Sequence, residues 1–214
     1  MARNTLKKYT EYLEAAFLIK VVHRIDESAK RFKRARSFKV YLTNPSMRAA
    51  LFAPVDEGSE EVGPLAETAI FSQWFHAEDT DLFYSRWKTG EVDIVRLGPD
   101  QRVRWAVEVK WSDRHADRPD ELRSLLAFCR KNAPGTGWAT SRTRRMDTEV
   151  GGVRISIIPT SVYCFTLGYN IIQRKEVRRT LGGGATGHSS SRMAGAAAPL
   201  DVSMGITAPG SWRV

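Results

Sequence analysis

The 214-residue chain is 42% hydrophobic and 27% charged, the balance of an ordinary globular domain long enough for one good core or a core with a small appendage. Its formal net charge of +9, from 33 Lys and Arg against 24 Asp and Glu, favours a polyanionic partner through counterion release. No stretch reaches the roughly 20 apolar residues of a membrane span, no secretory leader pattern follows Met1, and two cysteines (Cys129 and Cys164) cannot build a thiolate metal cluster, so a reduced cytoplasmic protein is expected.

In chain order, Thr5 is placed to cap a helix in which Leu6, Tyr9, Leu13 and Ala16 recur at helical spacing. Residues 17–22 read as a strand, 30–36 as a very basic stretch, and 38–42 as a second strand. Helix, strand, charged loop, strand is the order of the last half of a winged helix. Residues 4–55 are therefore either a partial winged-helix-like segment or an extension of the main domain. As a wing, Lys30, Arg31, Lys33, Arg34 and Arg36 would contact phosphates; otherwise they form a solvated hairpin loop.

The main domain is expected over 63–168. Residues 64–75 read as a helix with Leu65, Ala69, Ile70 and Trp74 inward, followed by strands at 82–87, 91–97 and 103–111. Gly98-Pro99-Asp100 joins the last two strands as a hairpin turn would. An amphipathic helix at 119–131 carries Leu122, Leu125, Leu126 and Cys129 on one face, and strands follow at 137–140 and 154–158. Helix, three strands, helix, strand is a mixed α/β layer arrangement. Residues 182–214 lack patterned apolar surface and are expected to be a disordered tail. Gly182 to Ser189 nearly matches a phosphate-loop pattern, but His188 stands where the lysine belongs and no strand precedes it.

The chemistry concentrates in one strand. Alternation sets Glu108 and Lys110 on the same face, with Trp105, Val107 and Val109 on the other. In the preceding strand Glu91 and Asp93 share a face, with Val92 and Ile94 opposite, and a hairpin would bring Asp93 near Glu108. Two carboxylates with a backbone carbonyl suit magnesium or manganese. The lysine beside them can hold water or stabilise charge on a phosphate. Glu67 on the leading helix is a third acidic candidate, and Glu91 reads as a strand-end salt bridge before a ligand. Arg142, Arg144 and Arg145 flank a nucleic-acid groove or form an ordinary loop. Trp87, Trp105, Trp111 and Trp138 read as packing residues, and His76 and His115 as solvated.

Asp93 followed by Glu108-Val109-Lys110 resembles the PD-(D/E)xK nuclease signature, with Glu67 at the acidic position of that fold's first helix. Thr5-Leu6, Tyr12-Leu13-Glu14, Leu18-Ile19, Lys39 through Asn44, Leu65 through Phe71, Gly90 through Val95, and Val107 through Lys110 together look like the C-terminal domain of a family of prokaryotic AAA+ ATPases. The resemblance spans roughly residues 4–165. It implies a restriction-endonuclease-like mixed sheet flanked by helices, Asp93 and Glu108 as metal ligands, and Lys110 and Glu67 as catalytic residues. Two departures stand out: no Walker lysine is present, so ATP hydrolysis is not carried over, and Asn44 replaces the family's usual Asp. The chain reads as a truncated, split or degenerate relative.

Two functions follow. One is metal-dependent phosphodiester hydrolysis, with magnesium or manganese as cofactor and DNA as the first substrate expected. The other is a non-catalytic module that docks DNA or protein, associated with an AAA+ ATPase in trans. The sequence does not fix the oligomeric state; the resemblance leaves room for a homodimer, since nucleases of this fold often pair.

Overall fold

The computed structural model describes residues 3–32, 37–77 and 81–182. In chain order the elements are α1 (Arg3–Ala15), β1 (Ile19–Ile25), β2 (Phe38–Leu42), α2 (Ser46–Leu51), α3 (Val62–Trp74), β3 (Leu82–Trp87), β4 (Gly90–Leu97), β5 (Val103–Glu108), α4 (Arg114–Asp117), a 3-10 turn (Pro119–Glu121), α5 (Arg123–Asn132), β6 (Thr136–Ser141), β7 (Met146–Val150), β8 (Val153–Pro159) and α6 (Thr160–Gly182). The fold is mixed α/β. Its strands form an eight-stranded sheet in the order β2-β1-β3-β4-β5-β6-β8-β7, with helices on both faces.

β3, β4 and β5 are an antiparallel meander, and β6 and β8 continue parallel to β5. The parallel step from β5 to β6 needs a crossover, which α4, the 3-10 turn and α5 supply. α5 lays Leu125, Leu126, Phe128 and Cys129 on one face of the sheet, against Val92, Val95, Ala106, Ala139 and Ile155. The opposite core is built from Ile70, Phe71 and Trp74 of α3 and Tyr163, Leu167 and Ile171 of α6, packed on Ile94, Trp105, Val107 and Ile158. A sheet buried on both faces explains why its central strands read as apolar runs. Among the described residues no helix is long and apolar enough to cross a membrane.

Several expectations are sharpened. α1 begins at Arg3, so Thr5 lies in its first turn instead of capping it. β1 pairs in parallel with β3, from His23 opposite Phe83 to Ile25 opposite Ser85. Residues 19–42 therefore extend the central sheet, the second of the two arrangements that the sequence left open. α6 carries the fold beyond residue 168, with Tyr163, Leu167 and Ile171 buried at a spacing of four. β7 was not foreseen. It pairs with β8 across Gly151-Gly152, both at positive φ (55° and 78°), as a two-residue hairpin with a type I′ turn requires. Residues 183–214, including the tail and the near-phosphate-loop sequence after Gly182, lie outside the described residues.

Candidate active site

The predicted strand 103–111 stops at Glu108, and the chemistry begins where its ladder stops. β4 and β5 pair with Ile94 opposite Val107, so the next step of that register sets Asp93 opposite Glu108. Past Glu108, side chains replace sheet partners. Asp93 Oδ2 accepts the Val109 N–H at 2.8 Å. Thr140 Oγ1, on β6, accepts the Lys110 N–H at 2.8 Å and donates to the Lys110 carbonyl at 3.0 Å. Lys110 thus leaves the sheet with its backbone fixed, and its Nζ turns back to Glu108 Oε1 at 2.8 Å.

One detail of strand geometry departs from simple alternation. The register of β3 against β4 slips between Phe83 and Ser85. As a result Val92 packs in the α5-side core and Ile94 in the α3/α6-side core, not together on one face. Bulges of this kind re-aim side chains, and this one sits at Asp93.

A second set of residues arrives from β2 and α3. Lys39 and Tyr41 alternate onto the inner face of β2, where Tyr41 stacks on Phe71 of α3 at 4.0 Å. Lys39 Nζ lies 2.9 Å from Glu67 Oε1, 2.5 Å from Glu91 Oε1 and 3.4 Å from Asp93 Oδ1. The Tyr41 hydroxyl also donates to Glu67 Oε1. Glu91 is a salt bridge, as expected, reached by Lys39 and from the outside by Arg86 at 3.4 Å. The four carboxylates Glu67, Glu91, Asp93 and Glu108 therefore gather with the ammonium groups of Lys39 and Lys110 at one end of the sheet.

Crowding of like charge in a buried place sets the protonation. Burial, then repulsion from Glu67, pushes Asp93 up to about 6, against Lys39 and the Val109 N–H. Burial, then the Asp93 charge, pushes Glu108 up to about 7, against Lys110. Burial disfavours the Lys39 ammonium, but Glu67, Asp93 and Glu91 outweigh it and hold its pKa above that of an ordinary lysine. Lys110 is raised in the same way, its burial outweighed chiefly by Glu108.

Asp93 and Glu108 form a pair of carboxylates facing each other across β4 and β5. Among the described residues no group of three or more His, Cys, Asp or Glu side chains is arranged to hold a metal ion. The pair fits a divalent cation on one observation: Glu108 Oε2 is buried and has no hydrogen-bond partner among the described residues. A buried carboxylate oxygen without a donor is costly. A hard cation shared with Asp93 would satisfy it.

The structure brings Glu67, Asp93, Glu108 and Lys110 together and places the basic candidates around them unevenly. Asp113, three residues past Lys110, accepts the Thr143 and Arg144 N–H groups at 2.8 and 3.0 Å and the Thr143 hydroxyl at 2.7 Å. That clamp, with the Thr140–Lys110 bonds, ties the exposed loop of Arg142, Arg144 and Arg145 to the segment that carries Lys110. Within it Arg142 pairs with Glu57 and Arg144 with Asp117. Lys30 and Arg31 are exposed near the β1–β3 junction, where Arg31 covers the Phe83 ring at 4.4 Å and lies 3.5 Å from Asp81. Lys33, Arg34 and Arg36 lie outside the described residues.

Of the histidines, His76 is exposed, but His115 is half-buried, its Nδ1 without a partner among the described residues, contrary to the solvated expectation. Its position on α4, whose Ala116 is buried, accounts for the difference. Trp105 is in the core, and Trp87, Trp111 and Trp138 pack against core clusters as expected.

Sequence reading assigned no role to Lys39, Tyr41, Thr140 or Asp113. Lys39 and Tyr41 carried a local signal, a charged and a hydroxylated residue two apart on one strand face. Thr140 and Asp113 carried none, because their partners depend on the pairing of β5 with β6.

Residues 1–57 match a family described as a domain of unknown function (DUF8612). That stretch spans α1, β1, β2 and α2, and so supplies Lys39 and Tyr41 to the site. No curated protein and no solved structure matches the chain.

Proposed function

We propose that the acidic corner is the divalent-cation site of a restriction-endonuclease-like domain that hydrolyses phosphodiester bonds in DNA. The observation that supports it is Glu108: a buried carboxylate opposite Asp93, with one oxygen on Lys110 and the other without a donor among the described residues. Asp93 and Glu108 would hold magnesium or manganese. Such an ion, when bound, polarises a phosphoryl oxygen and lowers the pKa of water.

The chain's own residues do the rest. Lys110 keeps about a third of its side chain exposed (34%), so its ammonium can meet a phosphate or a water while Glu108 fixes its direction. Glu67, held by Tyr41 and Lys39, steadies Lys39 beside Asp93. The Arg142–Arg145 loop, clamped by Asp113, offers phosphate contacts that position the strand without reading its bases. Such work belongs in the cytoplasm, where Cys129 and Cys164, both free, remain thiols.

The test is cleavage of plasmid and linear DNA, with RNA in parallel, in magnesium or manganese. Lys110→Ala should reduce the rate by about 100-fold or more while the melting curve stays cooperative. Metal-independent cleavage, or a rate unchanged in Lys110→Ala, would refute the proposal.

One observation favours a second reading. Lys39 already neutralises part of the cluster, as a structural salt-bridge network would. In that reading the domain is a non-catalytic module that docks DNA or a protein, in the service of an AAA+ ATPase acting in trans. DNA binding that weakens steeply with salt and never leads to cleavage would select it.

A further inference from the structure

We infer that Lys39 is a built-in cation of the acidic corner and restricts it to one divalent ion. The inference rests on the reading of Asp93 and Glu108 as cation ligands and concerns what surrounds them.

An ammonium group has three N–H donors and no acceptor. Lys39 Nζ has three carboxylate neighbours, Glu91 at 2.5 Å, Glu67 at 2.9 Å and Asp93 at 3.4 Å, so its donors are all used. The side chain is held in place from two sides. On β2, Lys39 stands opposite Val22 of β1, which is buried, and the Tyr84 ring lies 5.3 Å from Nζ. The Tyr41 hydroxyl fixes Glu67 from the same strand. This is a saturated site for a monovalent cation that cannot dissociate.

The carboxylate oxygens divide accordingly. Glu67 Oε1, Glu91 Oε1 and Asp93 Oδ1 belong to Lys39, and Arg86 reaches Glu91 Oε2. Asp93 Oδ2 accepts from Val109, and Glu108 Oε1 from Lys110. Glu67 Oε2 takes no part in these contacts, and Glu108 Oε2 is buried and without a partner among the described residues, on a residue only 8% exposed. Phosphodiesterases that use two ions hold them about 3.5–4 Å apart, bridged by shared carboxylates. Here the Glu67–Glu91 side, where a second ion would need its ligands, already holds an ammonium. Lys39 also keeps the carboxylates from repelling one another before any divalent ion arrives.

The test is manganese binding to the full chain, read by electron paramagnetic resonance and calorimetry above neutral pH, for wild type, Lys39→Met and Lys39→Gln. The inference predicts one ion per wild-type chain. It predicts a second ion in the Lys39 variants, or one held at least about tenfold tighter. Wild type that binds two ions, or Lys39 variants that match wild type in number and affinity, would overturn the inference while the cation reading stands. Binding only in the variants would overturn the one-ion inference and end the cation reading for wild type; binding in none would end both. A variant that loses its cooperative melt without metal is examined with millimolar manganese present. Recovery of the melt supports the inference, and failure to recover contradicts it.

Discussion

Glu108 concentrates the physics of this protein in one side chain. It is buried, it faces Asp93, and among the described residues it has one ion-pair partner for two oxygens. Its pKa near 7 and that of Asp93 near 6 both lie above the ordinary carboxylate range, so the folded state holds more protons than the unfolded state between about pH 4 and 7. The stability these groups contribute is therefore full at acid pH and is lost as pH rises through 6 and 7. Glu108→Gln imitates the protonated form. It should raise the unfolding free energy relative to wild type at about pH 8 by on the order of 2 kcal/mol, read by urea denaturation, and change it little near pH 5. An equal effect at both pH values would show that Glu108 is not held by this balance. Under the proposed function, divalent-cation affinity would have the opposite dependence, increasing as the two carboxyls ionise. Asp93, Glu108 and Lys110 were legible in the sequence because two-residue alternation puts a carboxylate beside a lysine on one face, with a second acidic strand just before it. Lys39 carried only its spacing from Tyr41, because its partners come from α3 and β4 and only tertiary pairing brings them to β2.

At the scale of elements, the site exists because a strand ends early. β5 stops at Glu108, and the backbone of Val109 and Lys110 is taken over by Asp93 and Thr140. Thr140 is fully buried, so Thr140→Val would leave the Lys110 N–H and carbonyl without their partner. The expected loss is about 1–3 kcal/mol, measured by urea denaturation. A loss below about 0.5 kcal/mol would mean that the strand end does not depend on this residue. Apolar runs predicted the strands of the meander and the parallel pair, since burial on both faces demands them. The end of β5 was overextended because Val109 and Trp111 prolong the alternation beyond the ladder. β7 was overlooked although Gly151-Gly152 marks its turn, because Met146–Val150 is polar at alternate positions and lies at the sheet edge. α6 was overlooked because its buried stripe, Tyr163, Leu167 and Ile171, is narrow and flanked by the exposed Phe165, Tyr169 and Ile172.

For the molecule as a whole, the order of elements was readable and the joining of its parts was not. Helix, three strands, helix, strand gave the mixed α/β sheet from periodicity alone. Whether residues 4–55 stand apart or join that sheet could not be decided locally, because the β1–β3 ladder pairs residues 60 apart in sequence. That joining brings Lys39 and Tyr41 to the acidic corner, so the site is complete only when the N-terminal strands, α3 and the meander are assembled. The proposed function requires this assembly to bind a divalent cation through Asp93 and Glu108. The most direct test is calorimetric titration of magnesium and manganese into the folded chain above neutral pH, for wild type and for the Asp93→Ala, Glu108→Ala double variant. Binding by wild type that disappears in the double variant is the predicted result. No binding to wild type, or binding that survives loss of both carboxylates, would contradict it.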